Sequence, residues 1–75
     1  MRYLGVDLHK SNFVVCFLSE DDKTRIETFT LDQAGLSRFK RRLRADDKLA
    51  VEASANTFYF YRQIKGSVSE VVVVD

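Results

Sequence analysis

Apolar and polar positions along the chain alternate with two different periods, and the switches between them predict seven elements. Tyr3-Leu4-Gly5-Val6-Asp7-Leu8 reads as a first strand, apolar on both faces but for its aspartate. His9-Lys10-Ser11 is a short polar connection. Asn12 to Ser19 reads as a second strand, with Phe13, Val15 and Phe17 on one face and Val14, Cys16 and Leu18 on the other. Apolar residues on both faces predict a strand covered from both sides, with Cys16 as a core thiol. Glu20-Asp21-Asp22-Lys23 is a turn of solvated charge, and Thr24 to Thr30 is a more polar third strand. Its Ile26, flanked by Arg25 and Glu27, suits a half-exposed sheet edge.

From there the period changes to that of a helix. Thr30 and Gln33 stand three apart, the spacing of a capping box, in which each side chain satisfies a backbone N–H left free at the helix start. Leu36, Phe39 and Leu43 follow as one narrow apolar stripe, and Asp46-Asp47 closes the helix. Leu49-Ala50-Val51-Glu52 is a short buried strand with an acid at its end. Asn56 or Thr57 can cap a second helix running to Lys65, with Gly66 as the left-handed residue that ends it. Phe58-Tyr59-Phe60-Tyr61 places four aromatics in a row, of which a helix can turn only about half toward one core. One pair, such as Phe60 or Tyr61 with Ile64, is expected on the sheet. The other is expected under further chain or a partner subunit, with base stacking as the rival use. Glu70 and Val71 to Val74 form the final strand. Right-handed crossovers then give an α/β mixed sheet of order 3-2-1-4-5 in which only the second strand is antiparallel. The last valine strand, apolar on both faces with nothing after it to cover it, predicts a homo-oligomer formed through this edge or the neighbouring face.

Composition narrows the class. Seventy-five residues allow one small domain. Twelve Lys+Arg against eleven Asp+Glu leave +1, which excludes a polybasic nucleic-acid tail and an acidic disordered chain. Hydrophobic residues make up 45% and proline is absent, which argues for a folded chain. One cysteine allows no internal disulfide, so a reducing, cytoplasmic setting is expected. The longest apolar run, Phe13 to Leu18, is far short of the ~20 residues of a membrane span, and the N-terminus lacks signal-peptide architecture.

Candidate chemistry rests on Asp7 and Glu52, each a carboxylate in or at the end of an otherwise buried strand. In the expected order these strands are parallel neighbours, which brings the two acids to one edge about 5 Å apart. They repel unless a proton or cation lies between them, and a hard ion such as Mg²⁺ or Mn²⁺ takes oxygen ligands and resolves the conflict. Two such ions can activate water and stabilise a leaving oxygen in phosphodiester cleavage. The plainer alternative is a pair of hydrogen-bonded strand or turn carboxylates.

Gly5-Val6-Asp7-Leu8-His9-Lys10, the apolar strand after it, and Val51-Glu52-Ala53-Ser54 after an intervening helix together resemble the N-terminal part of the DEDD transposases of insertion sequences, whose catalytic domain is RuvC-like. The resemblance implies a ribonuclease-H-like fold, here an incomplete domain, with Asp7 and Glu52 as catalytic metal ligands. It implies a parent protein that cleaves and rejoins DNA, possibly under a guide RNA, and Lys10 as a phosphate contact. Ala55 departs from the family's glycine, and the family's two later aspartates have no counterpart, so the chain alone is expected to be inactive.

Arg38, Lys40, Arg41, Arg42 and Arg44 concentrate five cations within seven residues. Arg38, Arg41 and Arg42 are candidate nucleic-acid contacts, set against a solvated face that complements the helix dipole. His9, beside Asp7, is a candidate ligand or simply an exposed turn residue. Two other classes compete. Actin/sugar-kinase nucleotide-binding halves also begin with a G-[IV]-D strand and hairpin, although their turn is usually glycine-rich and this one is not. The remaining class is a small dimeric interaction module without chemistry.

Overall fold

A computed structural model describes all 75 residues, Met1–Asp75. The chain runs β1 (Tyr3–Leu8), β2 (Asn12–Leu18), β3 (Thr24–Thr30), α1 (Gln33–Lys40), β4 (Lys48–Glu52), α2 (Thr57–Ile64) and β5 (Glu70–Val74). The strands form one five-stranded sheet of order β3-β2-β1-β4-β5. β2 runs antiparallel to both β1 and β3, while β1, β4 and β5 are mutually parallel.

Both helices lie on the same face of this sheet, and the core is the layer between. Period-2 alternation sends Leu4 and Val6 of β1, Phe13, Val15 and Phe17 of β2, and Leu49 and Val51 of β4 to that face. From above, α1 contributes Leu36 and Phe39, and α2 contributes Phe60 and Ile64. Phe39 is the hub. Its ring lies 5.2 Å from those of Phe13 and Phe29, 5.9 Å from Phe60 and 6.5 Å from Phe17. Side chains of this size each contribute about 1.5–3 kcal/mol on full burial, so the aromatic cluster dominates the stability of a small core.

The opposite face carries no helix. Val14 and Cys16 are half-buried there, Leu18, Val72 and Val74 are exposed, and Ile26 is the barest of the apolar strand residues. The expectation that β2 is covered from both sides is thereby corrected, and with it the placing of Cys16 as a core thiol. The apolar pattern on this face is real, but nothing in the chain packs on it.

Helix boundaries also differ from those expected. Asp32, not Thr30, caps α1: its carboxylate accepts from the Gly35 amide at 2.8 Å, and the Thr30 hydroxyl donates to the same oxygen. Gly35 packs so tightly here that a Cβ would stand 1.8 Å from the Thr30 carbonyl oxygen. The helix stops at Lys40 rather than continuing to Asp46. The cause is tertiary. Arg2 reaches across to both carboxylate oxygens of Asp47, at 3.0 and 2.8 Å, and to the Arg42 carbonyl, while Asp47 also accepts from the Arg44 amide. These bonds turn the chain out of the helix, and Leu43 packs against the core from the turn. Asp47 is completely buried and Arg2 nearly so. No non-glycine cap is left-handed at the end of α2, and Gly66 itself has no positive φ, so its expected role as a left-handed terminator is not realised.

Candidate functional site

β1 and β4 pair in parallel with Val6 opposite Val51. Asp7 and Glu52 are the next residues on each strand, and the alternation that buries Val6 and Val51 turns both acids to the open face. They sit at the same level on adjacent strands, one strand spacing apart, and line the same trough. A single hydrogen-bonded ladder thus brings together carboxylates 45 positions apart in sequence.

The trough, of about 610 Å³, crosses the open face. Its floor is the row Ile26, Cys16, Gly5 and Ala50, each paired with the next across the strands. Small residues at the centre of this row make the depression, because Gly5 and Ala50 raise almost nothing above the backbone. Asp7, Glu52 and Asp75 stand along one rim. Asp7 also meets His9, whose Nε2 lies 3.0 Å from its Oδ2, with both side chains more than half exposed.

Lys10 is exposed in the turn that follows, between His9 and Ser11. That turn is held by the His9 amide donating to the Asn12 carbonyl and by Ser11 accepting from Leu31. The arginines are elsewhere. Arg42 donates twice to the Glu27 carboxylate, at 2.5 and 2.6 Å, and stacks over Phe17, and Arg38 lies over Phe29. Arg41 forms the C-cap of α1 and is exposed. All three belong to the helix layer, so the structure does not bring Arg38, Arg41 and Arg42 together with Asp7 and Glu52.

No group of three or more His, Cys, Asp or Glu side chains is arranged to hold a metal ion. A pair is enough for one kind of site: Mg²⁺ keeps several waters and is commonly held by one or two carboxylates together with substrate phosphates. Asp7 and Glu52 fit that donor set, whereas a dedicated all-protein cage is not present.

A second, smaller depression lies on the helix side, between Ala53, Ser54, Thr57, Phe58, Tyr61 and Val73. The Ser54 and Thr57 hydroxyls in it are engaged internally. Thr57 Oγ1 accepts from the Ser54 amide at 2.7 Å and donates to the Glu52 carbonyl at 3.0 Å. This knot fixes the exit of β4 just past Glu52. Of the four consecutive aromatics only Phe60 is fully buried, Tyr61 is half-buried, and Phe58 and Tyr59 are exposed.

No protein-family model and no curated protein sequence matches the chain. Among solved structures it is similar to the type II variant of the Aquifex aeolicus Ppx/GppA phosphatase, at 14% identity and a TM-score of 0.37, over 97% of this chain and 36% of that one. The chain thus spans about a third of that structure's length. The resemblance to DEDD transposases is corrected here: no family model matches the chain, a transposase model included. Insertion-sequence transposition and DNA recombination fall with it. The physical reason is that G-V-D and E-A-S encode only an acid at the end of a buried parallel strand, a need shared by unrelated α/β sites. Strand order does not restore the assignment, so the fold shown is a small α/β domain with a five-stranded mixed sheet and two helices.

Proposed function

We propose that this chain is the phosphate-and-metal side of a nucleotide-binding site of the actin/sugar-kinase kind, with Asp7 and Glu52 holding a divalent cation. The observation that carries this reading is the placing of the two carboxylates: adjacent parallel strands, the same level, the same open face, at the carboxyl ends where open α/β sheets bind their ligands. Asp7 and Glu52 would hold a Mg²⁺ ion, which would supply the positive charge that relieves their repulsion and attracts phosphate. Asp7 and Glu52 bind the ion or its waters, and His9 orients Asp7 through their contact.

The turn after Asp7 contains no glycine, and its His9 amide is already spent on Asn12. Phosphate recognition therefore falls to side chains: the Lys10 ammonium as a mobile charge and the Ser11 hydroxyl as a donor. Such a site binds the phosphate end of the ligand without reading its base.

Calorimetric titration of the chain with ATP in Mn²⁺, against the same titration in EDTA, tests the reading. Binding that needs the metal, and that is lost in Asp7→Asn and Glu52→Gln while the circular dichroism spectrum is unchanged, is expected. ATP bound equally well in EDTA, or by both variants, would overturn it.

A further inference from the structure

β5 presents an open edge, and its geometry selects what fits there. Val74 stands opposite Glu52 and its carbonyl accepts from the Ala53 amide. Along a strand successive residues turn their amide groups alternately toward and away from a given neighbour. Val72 and Val74 therefore face β4, and the N–H and C=O groups of Val71 and Val73 point outward, with no strand beyond them.

From this we infer that β5 pairs with β5 of a second copy of the chain, antiparallel about a two-fold axis through Val72. In that register Val71 of each copy stands opposite Val73 of the other. The two outward-facing residues of each strand then form hydrogen-bonded pairs, giving four backbone hydrogen bonds. A shift by one residue sets outward groups against inward ones and forms none. The same register keeps like charges apart: Glu70 falls opposite Val74, and Asp75 opposite Ser69, so no carboxylate meets another.

The surroundings of the edge suit this occupant. Val72, Val73 and Val74 are 46%, 49% and 48% exposed, so apolar surface continues over both faces of the strand. On the helix side it runs on through Tyr61 to Phe58, which is 69% exposed. A strand apolar on both faces is what such an edge accepts, and β5 is itself such a strand. Five residues make an edge only about 17 Å long, a small seam beside that of a stable dimer. The dimer is accordingly weak and depends on concentration. It lies beyond β4 from Asp7, although Val74 of the pairing strand and Asp75 after it also line the trough that holds Asp7 and Glu52.

Sedimentation equilibrium on the full chain, from about 1 µM to about 1 mM, should show the mass rising from monomer to dimer. Val73→Pro removes an outward donor and leaves the β4 ladder intact, so it should remain monomeric with an unchanged circular dichroism spectrum. Register is read by cross-linking in a Cys16→Ser background. With Val72→Cys, two thiols at the axis lose two protons and two electrons to oxidised glutathione, which leaves as two thiols, and a covalent dimer forms. Val74→Cys, far from its own symmetry mate, should not cross-link. A wild-type chain monomeric throughout, a dimer that survives Val73→Pro in a folded protein, or equal cross-linking by Val72→Cys and Val74→Cys would overturn the pairing.

Discussion

The sheet has two faces built from the same strands, and they have opposite physical characters. Toward the helices, Phe13, Phe17, Phe29, Phe39 and Phe60 form a closed aromatic cluster in which every ring is almost wholly excluded from water. On the other side the central positions are Gly5, Cys16 and Ala50, the rim holds Asp7 and Glu52, and the apolar side chains remain wet. One face therefore stores the stability and the other is free to carry chemistry. Side chains on the open face can be replaced without unfolding the protein, and those beneath the helices cannot.

The sharpest way to break this contrast is at its hub. Phe39→Ala should destabilise the chain by about 3–5 kcal/mol, comparable to the whole stability of a domain of this size, and leave it largely unfolded. Ile26→Thr, on the open face, should change stability by less than about 0.5 kcal/mol. Urea denaturation followed by circular dichroism compares the two. Equal effects would mean that the open face is covered in solution.

Next in size is the ion pair beneath the helix layer. Asp47→Ala leaves the Arg2 guanidinium buried without its carboxylate and also frees the Arg44 amide, which should cost about 3 kcal/mol. Glu27→Ala removes the partner of Arg42 at a more accessible position and should cost about 1 kcal/mol or less. If the two variants melted alike, burial would not be what distinguishes these pairs.

The Arg2–Asp47 pair also marks the limit of what the sequence discloses. Strand positions were legible because alternation in Phe13–Phe17 and the unbroken run Val71–Val74 depend only on near neighbours. The convergence of Asp7 and Glu52 on one face was legible for the same reason, once β1 and β4 were taken as parallel neighbours. The end of α1 was not. Leu43 keeps the helical spacing of Leu36 and Phe39, and only a guanidinium arriving from residue 2 turns the chain at Arg42. Asp47, directly before a buried strand, was the available signal, but its partner lies 45 positions away. Nor could the pattern say which apolar face is covered. Val14, Cys16 and Leu18 read as buried by composition, and whether anything packs on them is a property of the remaining chain. The transposase likeness failed at the same level, since short acidic strand ends report a placement and not a reaction.

A smaller effect sharpens the contrast from the open side. Like charges on adjacent strands destabilise a sheet, so Asp7→Asn or Glu52→Gln should stabilise the metal-free chain by about 0.2–1 kcal/mol. Millimolar Mn²⁺ should raise the melting temperature of the wild type more than that of either variant. Thermal melts with and without the ion measure both. A variant less stable than wild type would indicate that the carboxylates hold the fold rather than wait for a ligand.

The weakest contrast is one of pH, and it concerns how α1 is pinned to the covered face. The Gly35 amide, and after it the Thr30 hydroxyl, donate to the Asp32 carboxylate and hold its pKa below the ordinary value of 3.8. A carboxyl depressed in the folded state favours folding fully above its unfolded pKa, and that contribution is lost as pH falls through the folded value. Asp32→Asn keeps an acceptor oxygen at the cap but removes the charge. Wild type should therefore melt a few degrees higher than the variant at neutral pH, and the gap should close as the solution is acidified below about pH 4. The two proteins differ only at residue 32, so the difference between their melting curves reports on that carboxylate. A gap that persists unchanged at about pH 2 would show that the variant lost cap geometry rather than charge.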